Sequence, residues 1–598
     1  MVSADKKRIL FWSDILLWAV LAVSLVFLRA SYGVEVTDEA YWVAEPYLVT
    51  QGAVPLADNW SQTPLTGLLL APLVSVYTAL TGGTEGIYLY MLRAAVVFRA
   101  AISMGVWLLL RRQMDDRIAA VCAILLFSCD MGHMRGLNYN VLSLYLLALA
   151  GALLYDAVSQ ENIQKSAHRC AAAGVVMALC ALAHITQIVN CVLLAVILLF
   201  QERRIYKKVP LWMIYGLSGL LIAVVVTAGL ELASGGNLFS GLGILLRENN
   251  YFRIPHMGFG QQAARSAEDL AFFGFKRWLP GFLLCFAIFS PLYFRKGGIH
   301  RDQFRAVFVL SLLGAFCIFL GWVCSRKGDI FPTDIPAMLL YIIVPLYLLC
   351  METSYRRESF RMLLFLWLPC LVSWLMVALA SHAPANYRYY ALNSGAILTI
   401  PFIFSTLQGS FSLPERPKIA KWILEKSSLL PCLLGMLFSA TMLLYLWNNV
   451  YRDDPIPQLT YRMEVGVYKG CYTSPERGHA METLEQTIKE LTSKSETVFF
   501  ADLFPTGYLM TDSHYLAPTT WDPNMYRYGF QDSNLLFSYF ELSGEIPDKI
   551  VYVNSEGEPL SIDDPENQFA AFVLDNYTLT AETGRELFSL RVFTKNPR

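Results

Sequence analysis

The sequence predicts a mainly α-helical polytopic membrane protein with about thirteen transmembrane helices, followed by a C-terminal soluble α/β domain. Three observations carry this prediction. Of 598 residues, 55% are hydrophobic and only 16% charged, a balance far more apolar than that of a soluble domain. Apolar runs long enough, or nearly long enough, to cross a bilayer recur as far as Val450. Beyond Tyr451 the composition turns polar, with roughly twice as many acids as bases, so the net charge of -1 conceals a basic membrane part. No polybasic stretch of the kind that binds nucleic acid accompanies it.

The predicted spans are 9–30, 88–110, 118–129, 139–157, 170–183, 185–200, 209–232, 278–294, 306–323, 335–350, 362–381, 391–407 and 429–450. Basic clusters fall on alternate loops: Lys6-Lys7-Arg8, Arg111-Arg112, Lys165 with Arg169, Arg203-Arg204, Arg295-Lys296, Arg356-Arg357, and Lys418 with Lys421. The positive-inside bias therefore predicts a cytoplasmic N-terminus, and an odd number of spans places the C-terminal domain on the opposite face. The first apolar run is too long for a signal peptide and lacks a small-residue cleavage site, so it reads as an uncleaved span. Residues 65–80 are nearly long enough to cross. Crossing would turn Arg111-Arg112, Arg203-Arg204 and Arg356-Arg357 outward against the charge bias, so the segment is expected to stay on the external side, interrupted by Pro64 and Pro72. The expected organisation is a transmembrane domain, 1–450, with a first external loop at 31–86 and a long external loop at 233–277, then an extracytoplasmic domain, 451–598.

The first external loop opens on Asp38-Glu39, adjacent carboxylates that follow closely on the end of a span. Such acids lie in the headgroup layer or in a water-filled cavity, because hydrocarbon excludes them. They read either as caps of the following helix, with Thr37 or Asp38 at its N-terminus, or as functional groups. Residues 40–51 read as an interfacial helix, with Tyr41, Trp42 and Tyr47 suited to the headgroup boundary and Gly52 just past its end. Asp58 lies between this helix and the Pro64 segment.

DEAYWVAEPYLVTQGAVPLADNWSQTPLTGLLLAPL, followed by YMLRAAVVF around Arg93 and by Arg111-Arg112, resembles the start of polyprenyl-phosphate-sugar glycosyltransferases of the GT-C fold. That group includes protein O-mannosyltransferases and bacterial lipid A aminoarabinose transferases. The resemblance extends to the whole plan of thirteen spans and an external C-terminal domain. It implies that Asp38 is the catalytic acid, Glu39 its neighbour and Asp58 the acid of the second element, although Gln62-Thr63-Pro64 stands where the family usually has Lys-Pro-Pro. The activity it implies is inverting transfer of a sugar from a polyprenyl-phosphate carrier to a glycan, lipid or protein acceptor on the external face. Asp38 would act as general base. Partners are then the lipid-linked donor, the acceptor and membrane lipid, with no nucleic acid. No cofactor is expected with certainty; a divalent cation is weighed at Asp58, for which no second ligand is evident in the sequence.

An anionic donor needs cations. Arg253 in the long external loop and Arg388 in Asn386-Tyr387-Arg388-Tyr389 run against the positive-inside trend, and with Arg93 they are the expected ligands of the donor phosphate. Arg388 resembles the family's Arg-Tyr element. Arg247 and Arg265 read equally well as contacts to anionic lipid. Arg99, near the centre of the second span, must face the protein interior and find an acid or a carbonyl. Asn138 and Asn140 read as amide caps at the start of the fourth span, and His184 as a solvated turn residue. The external histidines His133, His184, His256 and His382 have no ligand spacing. Eleven of the twelve cysteines lie in or beside apolar segments and read as packing residues; only Cys471 falls in the polar region.

In the C-terminal region 482–493 and 534–542 read as helices, and 497–501, 549–554, 570–574 and 587–594 as strands. The aromatic stretch 519–526 reads as packing or as a carbohydrate surface, and the sequon at Asn576 as accidental. Two other classes remain open. A lipid-linked polysaccharide polymerase or ligase would use a large external loop such as 233–277 without needing acids after the first span. A lipid-sugar transporter or flippase would show internal repeats, and none is evident.

Overall fold

The computed structural model describes residues 4–61, 63–129, 134–200, 204–205, 209–248, 259–293, 301–325, 334–350, 356–380, 391–408, 429–521, 534–555, 560–564, 566–584 and 587–597. Helices α1 (Ala4–Arg29), α2 (Asp38–Thr50), α3 (Pro64–Thr81), α4 (Ile87–Leu110), α5 (Asp116–Ser128), α6 (Tyr139–Ser159), α7 (Ile163–Ala183) and α8 (Ile188–Leu199) precede a two-strand hairpin, β1 (Arg204–Ile205) and β2 (Val209–Pro210). Then follow α9 (Leu211–Ala233), α10 (Leu238–Glu248), α11 (Phe259–Phe273), α12 (Leu279–Tyr293), α13 (Arg301–Ser325) and α14 (Asp334–Cys350). The helical part closes with α15 (Arg356–Met362), α16 (Leu368–Ala380), α17 (Asn393–Gln408) and α18 (Leu429–Asn448). Each of the thirteen predicted spans coincides with one of these helices. Among the described residues, eight helices are long and apolar enough to cross a membrane, which makes this a multi-pass membrane protein. The face that α9 turns outward is apolar, with Leu217, Leu220, Leu221, Val224 and Val225 exposed, as contact with lipid requires.

One of the eight is α3, which Pro64 and Pro72 do not interrupt. Pro64 occupies the first turn, where no N–H is needed, and Pro72 is accommodated within a continuous helix. Its 18 residues span about 27 Å. Both of its ends nevertheless meet the C-terminal region. Before it, the Trp60 N–H donates to the Pro518 carbonyl at 2.6 Å; after it, the Thr84 hydroxyl donates to Leu509 at 2.8 Å and the Gly86 N–H to Gly466 at 2.9 Å. Both ends of α3 therefore lie against one region of the chain. The end of α1 touches the region as well, through the Tyr472 N–H donating to Ser31 at 2.7 Å, so α2 and α3 lie between two spans that meet on one side.

Basic side chains gather at the other end of the bundle. Arg112 and Arg169 flank the buried Asp156 at 3.5 and 3.1 Å, and Arg111 pairs with Asp116 at 3.4 Å. In mid-span Arg99 is buried and donates to the carbonyls of Phe127 (2.6 Å) and Cys129 (2.9 Å) and to the Tyr145 hydroxyl (3.0 Å). It thus caps the C-terminus of α5, as an arginine in that position must.

The C-terminal region holds a short ladder, β3 (Tyr461–Arg462) with β4 (Tyr472–Thr473), then α19 (Pro475–Leu491), β5 (Thr497–Phe500), α20 (Gly507–Met510) and β6 (His514–Tyr515). It continues with α21 (Asn534–Ser543), β7 (Lys549–Ser555), α22 (Gln568–Asn576), β8 (Tyr577–Thr583) and β9 (Phe588–Lys595). The five-stranded sheet runs β6-β5-β7-β9-β8, parallel between β6, β5 and β7 and antiparallel beyond. Residues 570–574, expected as a strand, are helical. Asn567 caps the helix by accepting from the Ala570 N–H at 2.9 Å, and the burial of Phe569, Ala570 and Val573 follows helical spacing. The sequence reading missed the short strands β3, β4 and β6 and the longer β8, an edge strand with largely exposed threonines and no apolar alternation.

Candidate active site

Two junctions bring the site together. Arg29 at the end of α1 donates to the carbonyls of Leu446 (2.9 Å) and Asn449 (2.7 Å), which fixes the end of α18 beside it. Tyr32 then stacks on Tyr472 with ring centroids 5.0 Å apart. Gly33, at φ +98°, donates to the Tyr472 carbonyl at 2.8 Å; a side chain there would run into Val450 and Arg135. The chain emerges from this turn as Glu35-Val36-Thr37-Asp38-Glu39.

Neither Thr37 nor Asp38 caps α2 through its side chain. Thr37 instead donates its hydroxyl to Glu35, which also accepts the Thr37 N–H at 2.9 Å and the Glu39 N–H at 2.7 Å. Glu35 is buried, and burial, reinforced by the neighbouring Asp38 charge, pushes its carboxyl up to about 7. Asp38, with 17% of its side chain exposed, accepts the Tyr451 hydroxyl at 2.5 Å on Oδ2, and Arg452 Nη1 lies 3.0 Å from the same oxygen. The other oxygen, Oδ1, has no protein partner among the described residues. Arg452 Nη1 also bonds the Thr37 hydroxyl and lies 3.5 Å from Glu35.

Glu39 points the other way, into the protein. It accepts from Arg135 at its backbone N–H (2.6 Å), Nε (3.2 Å) and Nη2 (2.6 Å), and from the Tyr88 hydroxyl at 2.5 Å. Burial alone would raise its pKa, but the charge and hydrogen bonds of Arg135 hold the carboxyl below its usual range. With every lone-pair direction engaged, Glu39 is a structural ion pair locking the start of α2 to the segment before α6.

Asp58 lies apart from these acids. Its Oδ1 accepts the Val54 N–H at 2.6 Å and closes the turn between α2 and α3, while burial raises its pKa against that bond. Glu45 is likewise buried and accepts from Asn59 (2.6 Å) and Thr520 (3.0 Å), joining that turn to the C-terminal region. Among the described residues no group of three or more His, Cys, Asp and Glu side chains is placed to share a metal ion. No step is derived through the cation weighed at Asp58.

Several expectations change in this environment. Tyr41 and Trp42 are buried instead of interfacial: Trp521 meets Tyr41 edge-on at 5.2 Å, and Tyr139 packs on Trp42 at 5.1 Å. His184 is a packed ring, 5.0 Å from Tyr139 and 2.8 Å from the Thr186 hydroxyl, with burial lowering its pKa to about 4. Asn138 caps α6 by accepting the Val141 N–H at 2.9 Å. Arg93 sits 4.9 Å above the Phe27 ring and 3.4 Å from the Ser31 hydroxyl; its Nε has no hydrogen-bond partner among the described residues. It lines a cavity of about 780 Å³ with Tyr77, Glu85, Lys469 and Lys489 and shares no partner with Asp38. Arg253, Arg388 and the stretch 522–526 lie outside the described residues.

The sequence reading overlooked Glu35, Tyr451 and Arg452. A signal for the last was present: Arg452 is a base just past the final predicted span, on the side that the charge bias predicts to be external, the same argument that singled out Arg388.

No family model and no curated protein matches the chain. Among solved structures, ArnT from Cupriavidus metallidurans bound to undecaprenyl phosphate is similar over 97% of this chain and 98% of its own, at 12% identity and a TM-score of 0.49. Its apo state gives the same coverage at 14% identity and a TM-score of 0.41. The Archaeoglobus fulgidus oligosaccharyltransferase tethered to an acceptor peptide is similar over 91% of this chain and 69% of its own, at 12% identity and a TM-score of 0.43. At scores this low, the functional reading rests on the side chains of the site itself.

Proposed function

We propose that this protein is an inverting membrane glycosyltransferase of GT-C type that takes a sugar from a polyprenyl-phosphate carrier and passes it to a hydroxyl-bearing acceptor. The observation that carries the reading is Asp38: a partly exposed carboxyl group at a water-facing helix start, held through one oxygen and open at the other. In the proposed step Asp38 Oδ1 takes the proton of the acceptor hydroxyl as that oxygen attacks the anomeric carbon. The bond from the anomeric carbon to the phosphate oxygen breaks, its electron pair leaves on the polyprenyl phosphate, and the anomeric configuration inverts. Arg388 and Arg253 are assigned to the departing phosphate, whose developing charge a guanidinium fork matches. Arg93, beside its own cavity, is the third arginine assigned to donor binding. Residues 1–450 are taken as the membrane domain and 451–598 as the extracytoplasmic one, with the N-terminus in the cytoplasm. The gathering of Arg111, Arg112 and Arg169 at the end of the bundle away from the C-terminal region supports that orientation.

The test is transfer by the purified full chain in nanodiscs, supplied with radiolabelled undecaprenyl-phosphate-linked sugars and acceptor-containing membrane fractions. Label is expected in the acceptor fraction, with undecaprenyl phosphate released. Label arriving only from soluble nucleotide sugars, or export of the lipid-linked sugar without transfer, would contradict the reading.

A further inference from the structure

We propose that Tyr451 and Arg452 are positioning residues for Asp38, so that the junction between α18 and the C-terminal region is built into the active centre; the inference rests on the reading of Asp38 as the base. Three consecutive residues of that junction grip the strand-like segment leading into α2. Tyr451 donates to Asp38 at 2.5 Å; Arg452 reaches Asp38 at 3.0 Å, Thr37, and Glu35 at 3.5 Å. Asp453 accepts the Val34 N–H at 2.7 Å and the Thr473 hydroxyl at 2.8 Å.

The chemistry follows from which oxygen is held. Both contacts to Asp38 fall on Oδ2. A carboxylate anchored twice through one oxygen cannot turn its plane, so its second oxygen keeps a fixed direction toward the acceptor. Fixed direction is what a general base requires, since small misplacement of reacting groups lowers the rate steeply. Arg452 also supplies the positive charge facing Glu35 and Asp38 together, because Arg135 is engaged with Glu39.

The backbone supports the same conclusion. Arg452 has φ +52°, in the left-handed region, which a residue bearing a Cβ adopts only at a cost. Glycine would relieve this, yet the position carries a long cation whose side chain touches three site residues. Attachment of the C-terminal region does not depend on that cation. Tyr468 donates to the Glu35 carbonyl at 2.8 Å, Thr506 to Val36 at 2.9 Å, and Trp60 to Pro518 at 2.6 Å, and all of these survive its loss.

The experiment uses the full chain in nanodiscs with the same radiolabelled undecaprenyl-phosphate-linked sugars. Tyr451→Phe and Arg452→Gln are expected to lower kcat roughly tenfold to hundredfold with the KM for donor and the melting temperature unchanged, and Arg452→Lys to recover part of the loss. In an Asp38→Asn background, Arg452→Gln should remove nothing further. Parental kcat in Tyr451→Phe and Arg452→Gln, while Asp38→Asn is inactive, would overturn the positioning role alone; a loss tracking the melting temperature would do the same by making the residues structural. Full transfer by Asp38→Asn would remove the base and this inference with it.

Discussion

Glu35→Gln tests the charge balance of the acid cluster. Glu35 and Asp38 face one shared cation, Arg452, and the cluster relieves the excess by keeping Glu35 partly protonated near neutrality. Its carboxyl rises from an ordinary value of 4.5 to about 7, chiefly through burial and then through the Asp38 charge. That rise corresponds to about 3 kcal/mol of preference for the protonated form. Because the folded pKa is the higher one, the folded state binds more protons than the unfolded state between pH 4.5 and about 7. Raising the pH through that window therefore weakens the native protein, and above it the loss is complete and constant. Glutamine does not titrate. It also turns an amide N–H toward the Glu39 N–H that Glu35 now accepts, an offset independent of pH. The expected signature is a stability difference between variant and parent that moves in favour of glutamine by about 3 kcal/mol across the window and is flat on either side. Unfolding of both proteins in one detergent at matched heating rates, from about pH 4.5 to about pH 8, reads it. A difference that does not vary with pH would refute the reasoning, since Glu35 would then be ionised and paired in the native state.

Arg135→Ala leaves Glu39 buried beside Tyr88 without its cation, and is expected to destabilise the protein by about 3–5 kcal/mol, seen as loss of folded material; a parental melting temperature would contradict the ion-pair assignment. Asp58→Asn keeps an acceptor for the Val54 N–H, so it should change stability by less than about 1 kcal/mol and leave transfer insensitive to chelators; abolished activity would make Asp58 a participant. Arg388→Ala should raise the donor concentration needed for half-maximal transfer, with lysine restoring only part because it lacks the planar fork. Unchanged donor dependence would assign Arg388 to structure or lipid.

What could be read in advance divides along physical lines. Span positions were legible because length and apolarity are properties of contiguous residues. The placement of residues 65–80 was argued from the charge of loops far from it, and the contacts of Trp60 and Thr84 set both ends of that helix against the C-terminal region. Arg99 was constrained by the medium around it. Tyr41 and Trp42 misled because an amphipathic aromatic suits a headgroup layer and a buried contact with Trp521 or Tyr139 equally well. Strand β8 was hidden because an edge strand shows no buried alternation. The partners of Asp38 were beyond reach for a different reason. Tyr451 lies 413 positions along the chain from it, and the two come together through long-range contacts such as those of Arg29 at the end of α1 with the end of α18.

The central claim is tested most directly by Asp38→Asn, assayed with radiolabelled undecaprenyl-phosphate-linked sugars at saturating donor so that a binding defect is not mistaken for a chemical one. Asparagine keeps the size of the side chain and still accepts from Tyr451 through its amide oxygen. The protein should therefore express and melt as the parent does, while transfer falls roughly hundredfold to ten-thousandfold. Near-parental transfer would mean that the open oxygen of Asp38 takes no proton, and that the chemistry, if any, lies elsewhere in the molecule.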